Sequence, residues 1–350
     1  MKEANNKRTP YLMKSADLNR AVQKLIEEAG KSPDADLLTQ MITTVLKLQD
    51  EKVDRGDLKI LNTTLKELRW AFRVFRPYRA TRKVSIFGSA RTRANQPAYQ
   101  AAKQFGKLIA ESGWMVITGG STGIMHAGNE GAGLEQSFGA NIKLPFEQAA
   151  NPVLANDRKL INFKYFFTRK LIFIKESDAI CLFPGGFGTL DEGFEVLTLV
   201  QTGKMMPRPV VLVDSKSGSY WRSWLTFIKK ALVGNGMIDH ADMNLFQIAK
   251  NPKEARDIII HFYRVFHSMR FVGDYLVLRL QKELQQTDFK RLNADFKDIT
   301  LKGKIEPTSA LSAEASEPNL AHLPRLMFRF DRKSYGRLKQ MIDRINLMGD

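Results

Sequence analysis

Hydrophobic positions along the chain fall into three successive patterns. Over residues 1–80 they recur at helical spacing, without a strand signal. Leu18, Val22 and Leu25 share one helix face, and Leu37, Leu38, Ile42, Val45 and Leu46 share another. The segment Thr63-Thr64-Leu65-Lys66-Glu67 has the form of a capped helix start, and Pro77 should end the helix that follows. Over residues 81–265 short apolar runs alternate with helical stretches. Runs at 84–87, 114–118, 141–144, 179–183 and 209–213 stop at Gly88, Gly119, Pro145, Pro184 and Asp214. Helices are expected over 97–112, 123–136 and 189–202. This alternation predicts an α/β fold with a parallel, doubly wound sheet. Residues 266–350 read as a small α+β appendage. A long helix is expected over about 272–298, then a loop carrying Pro307 and Pro318, a strand at 325–330 and a helix at 335–348. The expected organisation is an N-terminal helical region (1–80), an α/β domain (81–265) and a C-terminal appendage (266–350).

Composition narrows the class. At 350 residues the chain suits two or three domains. With 43% hydrophobic and 26% charged residues it is not a disordered polymer. No apolar run approaches the ~18–20 residues of a membrane helix. The start, MKEANNKRTPYLMK, lacks the apolar core of a secretory signal. A single cysteine, Cys181, excludes an intrachain disulfide and sits in an expected core strand as a buried thiol. These features point to a cytoplasmic enzyme or binding protein. The net charge of +17 favours anionic partners such as phosphorylated metabolites or nucleic acid, without choosing among them.

In an open parallel sheet, ligands bind beyond the C-terminal ends of the strands. Three glycine-bearing loops occupy such ends: Gly88-Ser89-Ala90-Arg91, Gly119-Gly120-Ser121-Thr122-Gly123 and Pro184-Gly185-Gly186-Phe187-Gly188-Thr189. Glycine lets backbone N–H groups approach an oxyanion, and a following helix adds unpaired N–H groups and the positive end of its dipole. Any one loop is also an ordinary strand-to-helix turn; three on one sheet edge indicate a phosphate site. Glu192 follows the third loop. A carboxylate in a first turn often only complements the helix dipole. Beside a phosphate it would repel the ligand, so Glu192 is expected to face a sugar. Arg169, on a helix before the strand at 179–183, reads either as a surface charge or, from its place beside the loops, as a site residue.

At this point the sequence resembles a known family. PGGFGTLDE at 184–192 resembles the PGGxGTxxE signature of the Lonely Guy (LOG) family, phosphoribohydrolases long mislabelled as lysine decarboxylases. GGSTGIM at 119–125, FGSAR at 87–91 and TRK at 168–170 resemble its other conserved segments, in the same order, over about residues 82–265. The resemblance implies a Rossmann-like sheet, usually in a homodimer or larger homo-oligomer. It also implies hydrolysis of a nucleoside 5'-monophosphate to free base and ribose 5-phosphate. Arg169 and Glu192 would be the catalytic pair. Gly185, Gly186, Gly188 and Thr189 would hold the 5'-phosphate, with Gly88, Ser89, Gly119, Gly120 and Gly123 completing the substrate site. No cofactor or metal is implied. Ser121 stands where the family often has a third glycine, and the terminal regions exceed the compact plant-type enzymes, a length that resembles the larger bacterial nucleotide hydrolases. No lysine lies in a recognisable pyridoxal-phosphate context.

Other candidates are weaker. The histidines 126, 240, 261, 267 and 322 show no metal-ligand spacing. His126 follows the second loop, and Asp178 either caps a strand or lines the site. Basic residues cluster at 69–83 (Arg69, Arg73, Arg76, Arg79, Arg82, Lys83) and near the C-terminus (Arg325, Arg329, Arg332, Lys333, Arg337). They read as solvated faces or as a surface for an anionic effector or nucleic acid. Two alternatives to the hydrolase therefore stand: a nucleotide-binding regulator or carrier without turnover, and a basic nucleic-acid-binding protein.

Overall fold

A computed structural model describes residues 11–142, 150–214 and 218–348. The chain divides into two units, Met1–Lys66 and Glu67–Asp350. The first holds α1 (Ala16–Glu28), α2 (Ala35–Asp50) and the opening turns of α3 (Arg55–Phe75). Ser15 caps α1 by accepting the Leu18 N–H. The helix expected to start at Thr63 starts eight residues earlier. Asp54 accepts the N–H groups of Gly56 and Asp57, satisfying first-turn donors of a helix that starts here and passes through Thr63. The helix stops two residues before Pro77, in a 3-10 turn at Arg76–Tyr78.

The second unit is built on a seven-stranded parallel sheet. Its strands are β1 (Lys83–Phe87), β2 (Met115–Thr118), β3 (Ser137–Ile142), β4 (Leu160–Phe163), β5 (Ala179–Leu182), β6 (Val210–Val213) and β7 (Gln247–Ala249). They lie in the order β4-β3-β2-β1-β5-β6-β7, so the sheet grows away from β1 in both directions. The strand expected over 141–144 begins earlier, at Ser137; residues 143 and 144 and Pro145 lie outside the described residues. The intervening helices are α4 (Pro97–Glu111), α5 (Ile124–Ala132), α6 (Phe166–Glu176), α7 (Phe187–Gln201), α8 (Tyr220–Phe227) and α9 (Pro252–Phe262). Helix α5 ends four residues short of the expected 136, where Gly133 adopts a φ of 77°.

Alternation along each strand feeds two cores. Ile180 and Leu182 face one layer with Phe138, Phe163, Phe173 and Trp221. Ala179 and Cys181 face the other with Ile86, Phe105 and Ile109. Both faces being covered explains why these strands read as continuous apolar runs.

The C-terminal part is an antiparallel sheet, β10-β11-β9-β8, packed on helices. It comprises β8 (Phe266–Val272), β9 (Tyr275–Leu280), α10 (Gln286–Asp295), β10 (Glu306–Thr308), β11 (Arg325–Phe328) and α11 (Tyr335–Met348). The helix expected over 272–298 is instead the second half of a hairpin followed by a short helix. Gly273, with a φ of 56°, opens a two-residue loop in which Val272 pairs with Tyr275. Asn346, fully buried on α11, takes the N–H groups of Val265 and Phe266 and donates to the Phe262 carbonyl, tying the appendage to the end of α9.

Many of the basic residues are used internally. Arg82 pairs with Asp178 at 3.0 Å, and Lys83 donates to the Tyr78 and Thr81 carbonyls. Arg325 and Arg279 share the buried carboxylate of Glu314, at 3.0 and 2.6 Å, and Arg337 pairs with Asp298. The C-terminal basic cluster is therefore partly a neutralised interior. Arg69, Arg73, Arg76 and Arg79 are exposed.

Candidate active site

The C-terminal ends of β1, β2 and β5 each release a glycine-bearing loop, and the loops converge. Ser89 donates its N–H to the Pro184 carbonyl at 3.1 Å and accepts the Ile124 N–H at 3.0 Å, joining the first loop to the other two. Glycine is needed where they touch. A Cβ on Gly185 would collide with Thr189 and lie 2.9 Å from the Ser89 nitrogen. Gly123, with a φ of 66°, meets the Ser89 and Ala90 carbonyls closely enough to exclude any side chain.

Between the loops lies a cavity of about 840 Å³. Of the residues singled out from sequence, Gly88, Ser89, Gly119, Arg169, Gly185, Gly186, Gly188, Thr189 and Glu192 all border it. Gly120 and Gly123 do not. Gly120 packs against Gly139 and Leu160 and donates its N–H to the Thr118 hydroxyl oxygen, and Gly123 works behind the wall as a loop contact. Asp178 also lies away from the cavity: it accepts the Lys83 N–H at the start of β1 and does not line the site. His126 instead faces the Tyr99 hydroxyl at 3.1 Å.

Helix α7 begins at Phe187, two residues before the expected start, because the Leu190 N–H closes its first turn on the Gly186 carbonyl. Gly188 and Thr189 are thus first-turn residues, whose N–H groups have no earlier helical carbonyl to bond. A Cβ on Gly186 or Gly188 would meet nothing within 4 Å, so the backbone there opens directly onto the cavity.

Arg169 and Glu192 enter from α6 and α7. The Arg169 Nε donates to the Ala140 carbonyl at 2.8 Å, its guanidinium lies over the Phe173 ring at 5.1 Å, and a Cβ on Gly119 would sit 2.9 Å from its Nη2. Burial draws its pKa down from the ordinary arginine value, and Glu192 draws it back up. Glu192 is 7% exposed. Burial pushes its carboxyl up to about 7, against the pull of Arg169 and Lys170. Lys170 is bound to Asp191 at 2.8 Å and Glu195 at 3.2 Å, so α7 displays several carboxylates of which Glu192 is the deeply buried one. A buried carboxylate that titrates near neutrality, beside a fixed cation and a set of amide donors, can accept a proton and can stabilise a developing positive charge.

Several residues that support the site carried no sequence signal. Glu67 accepts the Lys164 N–H at 2.6 Å and the Thr168 hydroxyl, bracing the start of α6; the reading of 63–67 as a helix start hid this long-range role. Arg208 donates to the Ile174 and Ser177 carbonyls at the other end of α6. Under the second loop, the Thr118 hydroxyl and the Asn151 amide both donate to Asn129, a fully buried network. Asn141, at the end of β3, borders the cavity and donates to Asn162. Among the described residues no cluster of His, Cys, Asp or Glu could hold a metal ion, and no helix is long and apolar enough to cross a membrane.

Loops converging at the C-terminal edge of a doubly wound sheet, around a half-buried arginine and a buried carboxylate, define an α/β protein of the Rossmann-like class. Residues 119–259 match the family model described as "Possible lysine decarboxylase". A cytokinin riboside 5'-monophosphate phosphoribohydrolase of Arabidopsis thaliana is 32% identical over 163 residues, 45% of this chain and 72% of that protein. A probable cytokinin riboside 5'-monophosphate phosphoribohydrolase of Oryza sativa subsp. japonica is 30% identical over 177 residues, 49% of this chain and 70% of that protein. A solved molybdenum cofactor binding protein from Rippkaea orientalis superposes with a TM-score of 0.38 at 22% identity, over 51% of this chain and 96% of that one. The chain belongs to the Lonely Guy family of phosphoribohydrolases and their relatives.

Proposed function

We propose that this protein hydrolyses the N-glycosidic bond of a nucleoside 5'-monophosphate, giving free base and ribose 5-phosphate. The observation that carries the proposal is the opening of Arg169 and Glu192 onto the same cavity as the glycine turn that starts α7. In this reading the turn's amides hold the 5'-phosphate, which positions the ribose against Glu192. The bond between C1' and the base nitrogen breaks, and its electron pair leaves with the base. The positive charge left on the ribose ring is stabilised by the Glu192 carboxylate. Water adds at C1' and gives a proton to Glu192, from which it reaches the departing base or solvent. Arg169 supplies the counter-charge that favours ionised Glu192 and a contact for the anionic substrate. The family's usual assembly makes a homo-oligomer part of the proposal.

The test is incubation of pure protein with a panel of nucleoside 5'-monophosphates, assayed for free base and ribose 5-phosphate. Wild type should release both from at least one member. Glu192→Gln should lower turnover by ~10²–10³ while keeping substrate affinity. Equal release by Glu192→Gln would sink the catalytic assignment. Nucleotide binding without release from any substrate would make the protein a carrier or regulator.

A further inference from the structure

Tyr220, the first residue of α8, stands behind the glycine turn, in an open groove bordered by Thr92, Pro184 and Leu190. Its hydroxyl donates to the Gly185 carbonyl at 2.6 Å. We propose that Tyr220 is a positioning residue for anion binding, which holds the Gly185–Gly186 peptide with its N–H toward the cavity. The inference rests on the reading that this turn receives the substrate phosphate.

The argument follows the carbonyls. An anion is attracted by N–H groups and repelled by carbonyl oxygens, so a phosphate turn must point its carbonyls elsewhere. Three successive carbonyls here each have a donor. Pro184 takes the Ser89 N–H at 3.1 Å, Gly185 takes the Tyr220 hydroxyl, and Gly186 takes the Leu190 N–H at 3.2 Å. Two of these donors are backbone groups that come with the fold. Tyr220 alone of the three is a side chain, and it holds the peptide with glycine on both sides. Such a peptide rotates with little steric resistance. A trans peptide is planar with its C=O and N–H opposed, so fixing the Gly185 oxygen behind the turn sends the Gly186 N–H to the cavity side. The hydroxyl itself is well anchored. The Trp221 N–H donates to Asp214 at 3.3 Å and its indole to the Val213 carbonyl at 3.1 Å, while the Tyr220 ring packs edge-on against Trp221 at 4.8 Å. The donor is therefore attached to the C-terminal end of β6, a strand that contributes no residue to the cavity wall.

Tyr220→Phe removes one oxygen and keeps the ring packing. Calorimetry with ribose 5-phosphate and with inorganic phosphate should show affinity about five- to tenfold weaker than wild type. KM for a nucleoside 5'-monophosphate should rise by the same factor, with kcat within about twofold and an unchanged melting temperature. Wild-type affinity and KM in the variant would overturn the role of Tyr220 alone. A fall in kcat with phosphate affinity intact would also overturn it, since the hydroxyl would then act elsewhere. Failure of wild type itself to bind either phosphate ligand would remove the cradle and this inference together.

Discussion

Glu192 has its carboxyl pushed up to about 7 by burial, and this gives it two pH signatures of opposite sense. Its active form in the proposed reaction is the carboxylate, so kcat/KM should climb as pH rises and level off above an apparent pKa of about 7. The substrate phosphate titrates near ~6 and can add a limb of its own; Glu192→Gln should remove only the limb due to Glu192. Stability runs the other way. The folded pKa lies above the unfolded value, so the group's stabilising contribution is complete below the ordinary carboxylate range and is lost as pH rises through about 7. At pH ~8 Glu192→Gln should therefore melt no lower than wild type. A pH–rate profile beside thermal melts of both proteins checks the two together. A wild-type profile flat from pH 5 to 9 would contradict the assignment.

At the scale of elements, the glycines of the α7 turn differ in what they tolerate. Gly186 has a φ of −86°, which any residue adopts, and open space around its Cβ position. Gly186→Val should fold normally and lose nucleotide affinity at least tenfold, because the new side chain occupies ligand space. Gly185→Val should lower the melting temperature, because its Cβ meets Thr189 and Ser89. Calorimetry and melting curves separate the two, and a Gly186→Val variant that binds like wild type would remove the phosphate cradle. Both glycines were visible in the sequence as one motif; their different duties were not, since the second depends on a loop about 95 residues away. The same limit governs the element boundaries. Strands β1, β2, β5 and β6 were legible because they are apolar and end at glycine, proline or aspartate. Strands β4 and β7 were missed because neither is a continuous apolar run: Asn162 interrupts Leu160–Phe163, and Gln247–Ala249 holds a single large apolar residue, Ile248. Strand β9 has five consecutive buried positions, so its two-residue period vanished and it read as helix. The Gly273-Asp274 pair was the local clue to a turn there. Arg169 was legible from its place beside the loops and from its family segment; the Ala140 carbonyl that takes its Nε–H, and Glu67, which braces the start of its helix, come from a distant strand and helix.

Over the whole molecule, the interior ion cluster limits how the appendage can vary. Glu314 is 4% exposed and neutralises both Arg279 and Arg325, each 3% exposed. Glu314→Gln would leave the buried Arg325 guanidinium without its counter-charge, while Arg279 keeps Glu317 at 2.6 Å, and the loss of the one buried pair should cost ~3 kcal/mol. Equilibrium denaturation should show that loss. A variant within ~1 kcal/mol of wild type would mean that water reaches the cluster. Part of the C-terminal basic cluster that suggested a nucleic-acid surface is thus engaged inside the protein, although ion pairing leaves the net charge of +17 unchanged.

The strand order carries a consequence for the order of synthesis. β1 emerges from the ribosome first, and β2, β3 and β4 can add to one of its sides as they follow. The other side waits for β5, roughly 90 residues later, and only then do the loops after β1 and β5 meet. A nascent chain halted at residue 176 would expose an unpaired edge along Lys83–Phe87, five residues that are buried in the finished fold. Such a fragment should be a sticky intermediate and a client for chaperones, and ligand cannot rescue it because half of the site has not yet been translated.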